Sequence, residues 1–268
     1  MLLEWRTAED KDLKYYLNMK DLPVGEQFIY RLHGFVQRRV IVEERPGQPW
    51  THRLIVQDVS GARTDYIFDA IAAPGFSSTL ETYRRKYKLG VEIRTDETHL
   101  RSENETMVRR RLSLDRQPPE EEDRGELEWP AGTLDLLSLV YVLRNTDFLR
   151  NGVRDFSSVD PKMETTFPLR FRRVKEKEGA RVFEFLDQES GVSRRYGPDQ
   201  RTLLEGVFNT DSPPTRRVRK VMVWLSQDRR RFPLRIRVVL GWLPDPVLQL
   251  EEWSITAPYP VGEIPGRE

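Results

Sequence analysis

The chain has 268 residues, 38% of them hydrophobic and 32% charged, with 44 basic against 43 acidic side chains and a formal charge of +1. A chain so nearly neutral is no polyanion binder as a whole, and its length suits either one large β domain or two smaller ones. The absence of cysteine excludes a disulfide framework and all thiolate chemistry, catalytic or metal-binding, while leaving the compartment open.

The start, Met1 to Arg6, lacks the basic opening, apolar core and small-residue cleavage site of an export signal, so the chain reads as cytoplasmic or as a mature form with a replaced start. Residues 1–24 read as a short helix and lead-in. Thr7 and Asp10 resemble a capping box, Leu13, Tyr16, Leu17 and Lys20 follow at helical spacing, and Leu22 to Gly25 stops the run.

From Gly25 to about Leu114 the period changes to two. Phe28, Tyr30 and Leu32 alternate with Gln27, Arg31 and His33, and Val40 and Val42 end a second strand. Arg45 to Pro49 makes a turn, and Thr51 to Val59 returns with Leu54 and Val56 on the buried side. Tyr66, Phe68 and Ala70 mark another strand; Leu80 to Tyr87, Val91 to Thr95 and Val108 to Leu114 mark three more. Arg116 to Glu128, with Pro118, Pro119 and the acidic run Glu120 to Asp123, reads as a linker, because like charges repel and no apolar anchor compensates.

Trp129 to Asn145 is the one stretch with the pattern of a fully buried helix. Thr133 is placed to cap it and Asp135 to sit in its first turn. From Leu134 to Leu143 only Ser138 is polar besides Asp135, so the helix needs apolar neighbours on every side. The run is about half the roughly 20 residues a bilayer span requires, which favours a plug under a curved sheet. Arg144 reads as a helix-end charge facing the last carbonyls rather than as a ligand-binding group.

Phe148 to Met163 reads as irregular. Strands are then expected from Phe167, Val182 to Leu186, Leu203 to Phe208, Arg217 to Ser226, Pro233 to Gly241 and Val247 to Thr256. Both faces of Val221 to Leu225 are apolar, which makes that strand central and the natural seat for the helix. The fold class that results is all-β and mainly antiparallel, a large curved sheet or open barrel around one buried central helix. The divisions are 1–24, 25–128 as a first β half with its acidic linker, 129–257 as central helix and second β half, and a loose tail at 258–268, together one continuous domain.

No residue pattern nominates chemistry. His33, His52 and His99 have no second histidine at ligand spacing, Ser138 has no nucleophile elbow, and the glycines are single turn residues rather than a phosphate cradle. Catalytic and metal residues and cofactors are therefore expected to be absent and the protein is read as no enzyme. Residues 216–237 carry nine basic side chains against Asp228 alone. They alternate with apolar residues, and Trp224 and Phe232 read as core, so a solvated face compensated by the acidic run is expected and no nucleic acid.

Three segments carry a family resemblance: Pro130 to Arg144, Gly206 to Asn209, and Val223 to Arg237. They resemble the bacterial domain of unknown function 3108, in which a D-x-x-S … Y-x-x-R helix precedes a W-L-S-x-D … P-x-R-I strand pair. The resemblance implies an exported, β-rich protein of the periplasm or cell envelope, similar to the open barrels of lipoprotein carriers, with no agreed catalytic residues; with no signal peptide here, the cytoplasm stays open. It suggests a non-enzymatic protein holding a lipid or other lipophilic molecule in a concavity lined by Tyr141, Trp224, Trp242 and Trp253. The alternative is a structural or adaptor subunit that contacts an envelope protein partner. No transmembrane segment is expected.

Overall fold

The computed structural model describes residues 25–34, 37–45, 50–73, 78–101, 106–114, 120–130, 132–146, 148, 153–159, 166–176, 181–208, 218–240 and 244–255. The expected N-terminal helix, the C-terminal tail and Trp242 lie outside them.

Strands β1 (Glu26–His33), β2 (Arg38–Arg45), β3 (Trp50–Gln57), β4 (Thr64–Ala72), β5 (Thr79–Lys88), β6 (Val91–Arg101), β7 (Thr106–Ser113) and β8 (Glu120–Glu128) form an antiparallel meander. A two-residue strand β9 (Thr133–Leu134) leads into helix α1 (Leu136–Asn145). The second half contributes β10 (Val153–Val159), β11 (Thr166–Val174), β12 (Phe183–Asp187), β13 (Val192–Tyr196), β14 (Arg201–Phe208), β15 (Val218–Ser226), β16 (Pro233–Leu240) and β17 (Val247–Ile255). Because β17 pairs with β1, the halves share one sheet, ordered β8-β7-β6-β5-β4-β3-β2-β1-β17-β16-β15-β14-β11-β10-β9. Among the described residues no pairing joins its two ends, so the barrel is open.

The architecture is the all-β one expected, an open curved sheet around helix α1. Two short parallel contacts, β9 with β10 and β12 with β17, interrupt the antiparallel pattern. β16 pairs with β17 over only Arg235–Arg237, and the β12–β13 hairpin takes up the far end of the β17 edge.

Three expectations are corrected. The acidic stretch expected as a linker is strand β8, which pairs with β7. The register sets Asp123 opposite Arg111. The stretch after α1, expected as irregular, contains β10, whose Phe156 and Ser158 point inward. Thr133 is not the helix cap: its N–H and Oγ both bond to Pro130 O in a turn through Gly132, which has φ +83°. Asp135 is the cap, accepting from Leu137 N at 2.8 Å and Ser138 N at 3.1 Å.

The core has two parts. One gathers Leu139, Tyr141, Val142 and Leu143 of α1 with Phe156, Leu169, Phe171, Leu204, Val223 and Leu225; the strands that approach the helix most closely are β3, β4, β9 and β10 rather than β15, the strand expected to seat it. The other joins Phe28, Tyr30, Leu250 and Trp253 to Phe232, Phe185 and Trp224. Val223 and Leu225 thus serve one cluster and Trp224 the other, as a strand covered on both faces requires. Burial is not complete all round the helix: Leu136 in the first turn is 37% exposed, and Leu137, Val140 and Asn145 are half-buried.

Candidate functional site

Arg144 ends α1 inside the barrel with 4% of its side chain exposed. Its Nη2 donates to Glu26 Oε2 at 2.7 Å and to Arg230 O at 3.1 Å, its Nη1 to both oxygens of Glu44 at 3.2 and 3.0 Å, and its Nε to Arg231 O at 3.3 Å. Glu26 and Glu44 are cross-strand partners on β1 and β2, and Trp253 Nε1 donates to the second oxygen of Glu26 at 3.0 Å. The guanidinium lies 4.8 Å from the centre of the Phe28 ring and 5.6 Å from that of Tyr141. Arg144 is therefore no solvated helix-end charge; it ties the helix to both sheet halves.

Burial pushes the Glu44 carboxyl up to about 8, with Arg144 opposing and Glu26 adding to the rise. A proton on Glu44 leaves one carboxylate against one guanidinium, the neutral state a buried site favours. Burial works against the charge of Arg144, but Glu26 and Glu44 outweigh it and hold the guanidinium protonated. Next along the same sheet face, His52 is wholly buried, its ring centre 5.6 Å from that of Tyr141. Burial pushes it down to about 4, against the pull of Asp135.

Two of the three segments that carry the family resemblance, that of Arg144 and that of Asp228, meet here. Asp228 Oδ1 accepts from Arg230 N, Arg231 N and Ser226 Oγ, while its Oδ2 takes the Tyr196 hydroxyl at 2.5 Å. That turn presents the carbonyls of Arg230 and Arg231 to Arg144. At the other end of the helix, Asp135 also accepts from Thr79 Oγ1 at 2.8 Å and Ser138 Oγ at 2.5 Å. Arg235 lies over Trp224 and Phe183, at 5.4 and 5.7 Å.

The expected lining residues that are described are walls. Tyr141 packs 4.9 Å from Trp50, ring centre to ring centre. Trp224 is edge-on to Phe183 and donates Nε1 to Glu176, and Trp253 stacks edge-on against Phe232. All three are buried.

The accessible apolar surface is elsewhere. Cross-strand register sets Phe28, Val42, Leu54 and Phe68 in one row across β1 to β4, and Tyr30, Val40, Val56 and Tyr66 in the next. By alternation both rows share the inner face with Glu44 and His52, the face the helix packs against, and continue along the strands beyond Arg144. Leu32, Val42, Leu54, Val56 and Leu248 pack against the Phe28 and Tyr30 cluster yet stay half-buried. The helix thus covers the inner face around Glu44 and His52, and half-buried apolar side chains occupy the same face farther along the strands. In β5 to β7 the first row continues as Arg84, Asp96 and Arg111. No group of three or more metal-ligating side chains occurs among the described residues; His99 stands 3.8 Å from Glu81 and 4.0 Å from Glu97.

A β-barrel-like protein of domain of unknown function DUF1849 from Brucella abortus, known from its crystal structure, superposes on 87% of this chain and 98% of its own length with a TM-score of 0.52. The chain has a β-barrel-like fold. At 10% identity the likeness extends to fold alone. No protein-family model matches the sequence, and no curated protein matches it. No helix among the described residues is long and apolar enough to cross a membrane.

Proposed function

We propose that this protein is a non-enzymatic binding protein of the bacterial cell envelope, related to the domain of unknown function 3108, and that it holds the acyl chain of a lipid in the part of its barrel beyond the helix. The observation that carries the reading is the half-buried apolar band of Leu32, Val42, Leu54, Val56 and Leu248 on the inner face beyond the helix. Concave, mainly apolar surfaces with a few polar groups at one side are the usual form of lipophilic sites, and the row continues as Arg84, Asp96 and Arg111, with Arg111 paired to Asp96 at 2.6 Å. The envelope location rests on the resemblance of the Asp135 to Arg144 and Trp224 to Ile236 segments.

Native mass spectrometry of the purified protein, followed by organic extraction, tests the proposal. A bound lipid mass that disappears in Leu54→Glu, a change at a half-buried inner position, is the expected result. An unliganded mass together with a specifically captured envelope protein would instead assign the chain to an adaptor role.

A further inference from the structure

The end of the barrel opposite the helix ends in hairpin tips of unusual composition. β5 and β6 are joined by Leu89 and Gly90, with φ +54° and +82°. A two-residue turn with both residues in that region normally takes Asn, Asp or Gly first, because a leucine Cβ there is strained. Leu89 is nonetheless 74% exposed and Val91 65%, and Val59 in the adjacent β3–β4 turn is 50% exposed. Between the two tips lies a cavity of about 390 Å³ lined by Ala62, Arg63, Thr64, Ile67, Tyr87, Leu89 and Gly90.

Charge accompanies the apolar tips. Arg63, Lys86 and Lys88 are exposed, and no ion pair engages them among the described residues. The neighbouring acids are occupied: Asp65 with Arg38 at 2.6 Å, Asp58 by Ser60 Oγ and Ala62 N in its own turn, and Glu92 by Thr95 Oγ1. Aliphatic tips flanked by unpaired cations are complementary to an anionic lipid surface, where the side chains enter the acyl boundary and the cations meet phosphates.

We propose that these tips dock the open end of the barrel on a membrane containing anionic lipid, with Leu89 and Val91 inserted and Arg63, Lys86 and Lys88 on the head groups. The docking does not require that the concavity hold a ligand, and it would set the mouth of the apolar band against the bilayer.

Flotation with vesicles of phosphatidylcholine containing about 30% phosphatidylglycerol, against pure phosphatidylcholine, tests this with the full chain. Wild type is expected to partition onto the anionic vesicles at least about tenfold better, and to lose that advantage in high salt. Leu89→Asn places a favoured residue at the strained position, so its thermal midpoint is held or raised while anionic partitioning falls about tenfold. Lys86→Glu with Lys88→Glu should lose the preference for anionic vesicles. Equal partitioning of wild type and Leu89→Asn would overturn the proposal. So would self-association in sedimentation velocity that Leu89→Asn abolishes, with no vesicle binding, which assigns the tips to a second copy. Extraction of bound lipid from the same preparations reports separately on the concavity.

Discussion

At the scale of single residues, the buried guanidinium of Arg144 is the most consequential group in the chain. It is a hundred positions from Glu44 and further from Glu26 in sequence, yet holds both. Arg144→Met leaves carboxylates buried without their cation and is expected to cost about 3–5 kcal/mol in urea unfolding. Protonation of the same cluster makes stability depend on pH in two opposed ways. Glu44, raised from 4.5 to about 8, contributes stability that is full below 4.5 and lost as pH climbs to 8. His52, depressed from 6.5 to about 4, contributes stability that is full above 6.5 and lost as pH falls to 4. The slopes oppose each other between 4.5 and 6.5, and Glu44 acts alone above. The thermal midpoint should therefore fall from pH 6.5 to 8, and in Glu44→Gln that fall should vanish while the acid-side loss remains. Nothing local in the sequence marks Glu26 or Glu44 as partners of Arg144, since only the closure of β1 onto β2 and β17 brings them together.

At the scale of elements, the helix is legible because an apolar run too short for a bilayer has to be covered by sheet. Its start is less so: Thr133 and Asp135 are both acceptable caps by type, and the choice falls to Asp135 through its reciprocal bonds with Thr79, in which Asp135 N donates to Thr79 Oγ1 at 2.8 Å and Thr79 Oγ1 to Asp135 Oδ2. Asp135→Ala removes the cap and leaves Thr79 and Ser138 without their acceptor, a loss of about 1–3 kcal/mol by thermal or urea unfolding. Strands with apolar alternation, such as β1 and β3, are read directly from period two. β8 and β10 are not, because a strand's place in a ladder depends on its neighbour: β8 is a strand through its pairing with β7, and the serines of β10 make bonds to β9, Ser158 Oγ donating to Leu134 O at 3.0 Å. Gly206 shows the same dependence. It is the cross-strand partner of Phe171, whose ring lies where a Cβ would be, 2.5 Å away. Gly206→Ala should displace that ring and destabilise the protein by about 1–3 kcal/mol, measured by the same unfolding curves.

At the scale of the whole molecule, an open barrel around one helix follows from many short strands and a single greasy segment. The concavity's occupancy does not, because the inner face is set by register across β1 to β4, and register is not encoded in any one strand. That is why Tyr141, Trp224 and Trp253 stand out as large aromatics in the sequence yet serve as walls, while the half-buried Leu54 and Val56 pass as ordinary strand residues. The central claim is that the helix covers the inner face around Glu44 and His52 and leaves the same face around Leu54 open to a lipid chain. Since the chain has no cysteine, a single introduced thiol is an unambiguous reporter. The rate of thiol modification should be measured in Leu54→Cys, on the inner face, and in Ile55→Cys, on the outer, with and without a long-chain fatty acid. Protection of the thiol in Leu54→Cys but not in Ile55→Cys is the predicted result; equal rates with and without fatty acid in both variants would contradict the account.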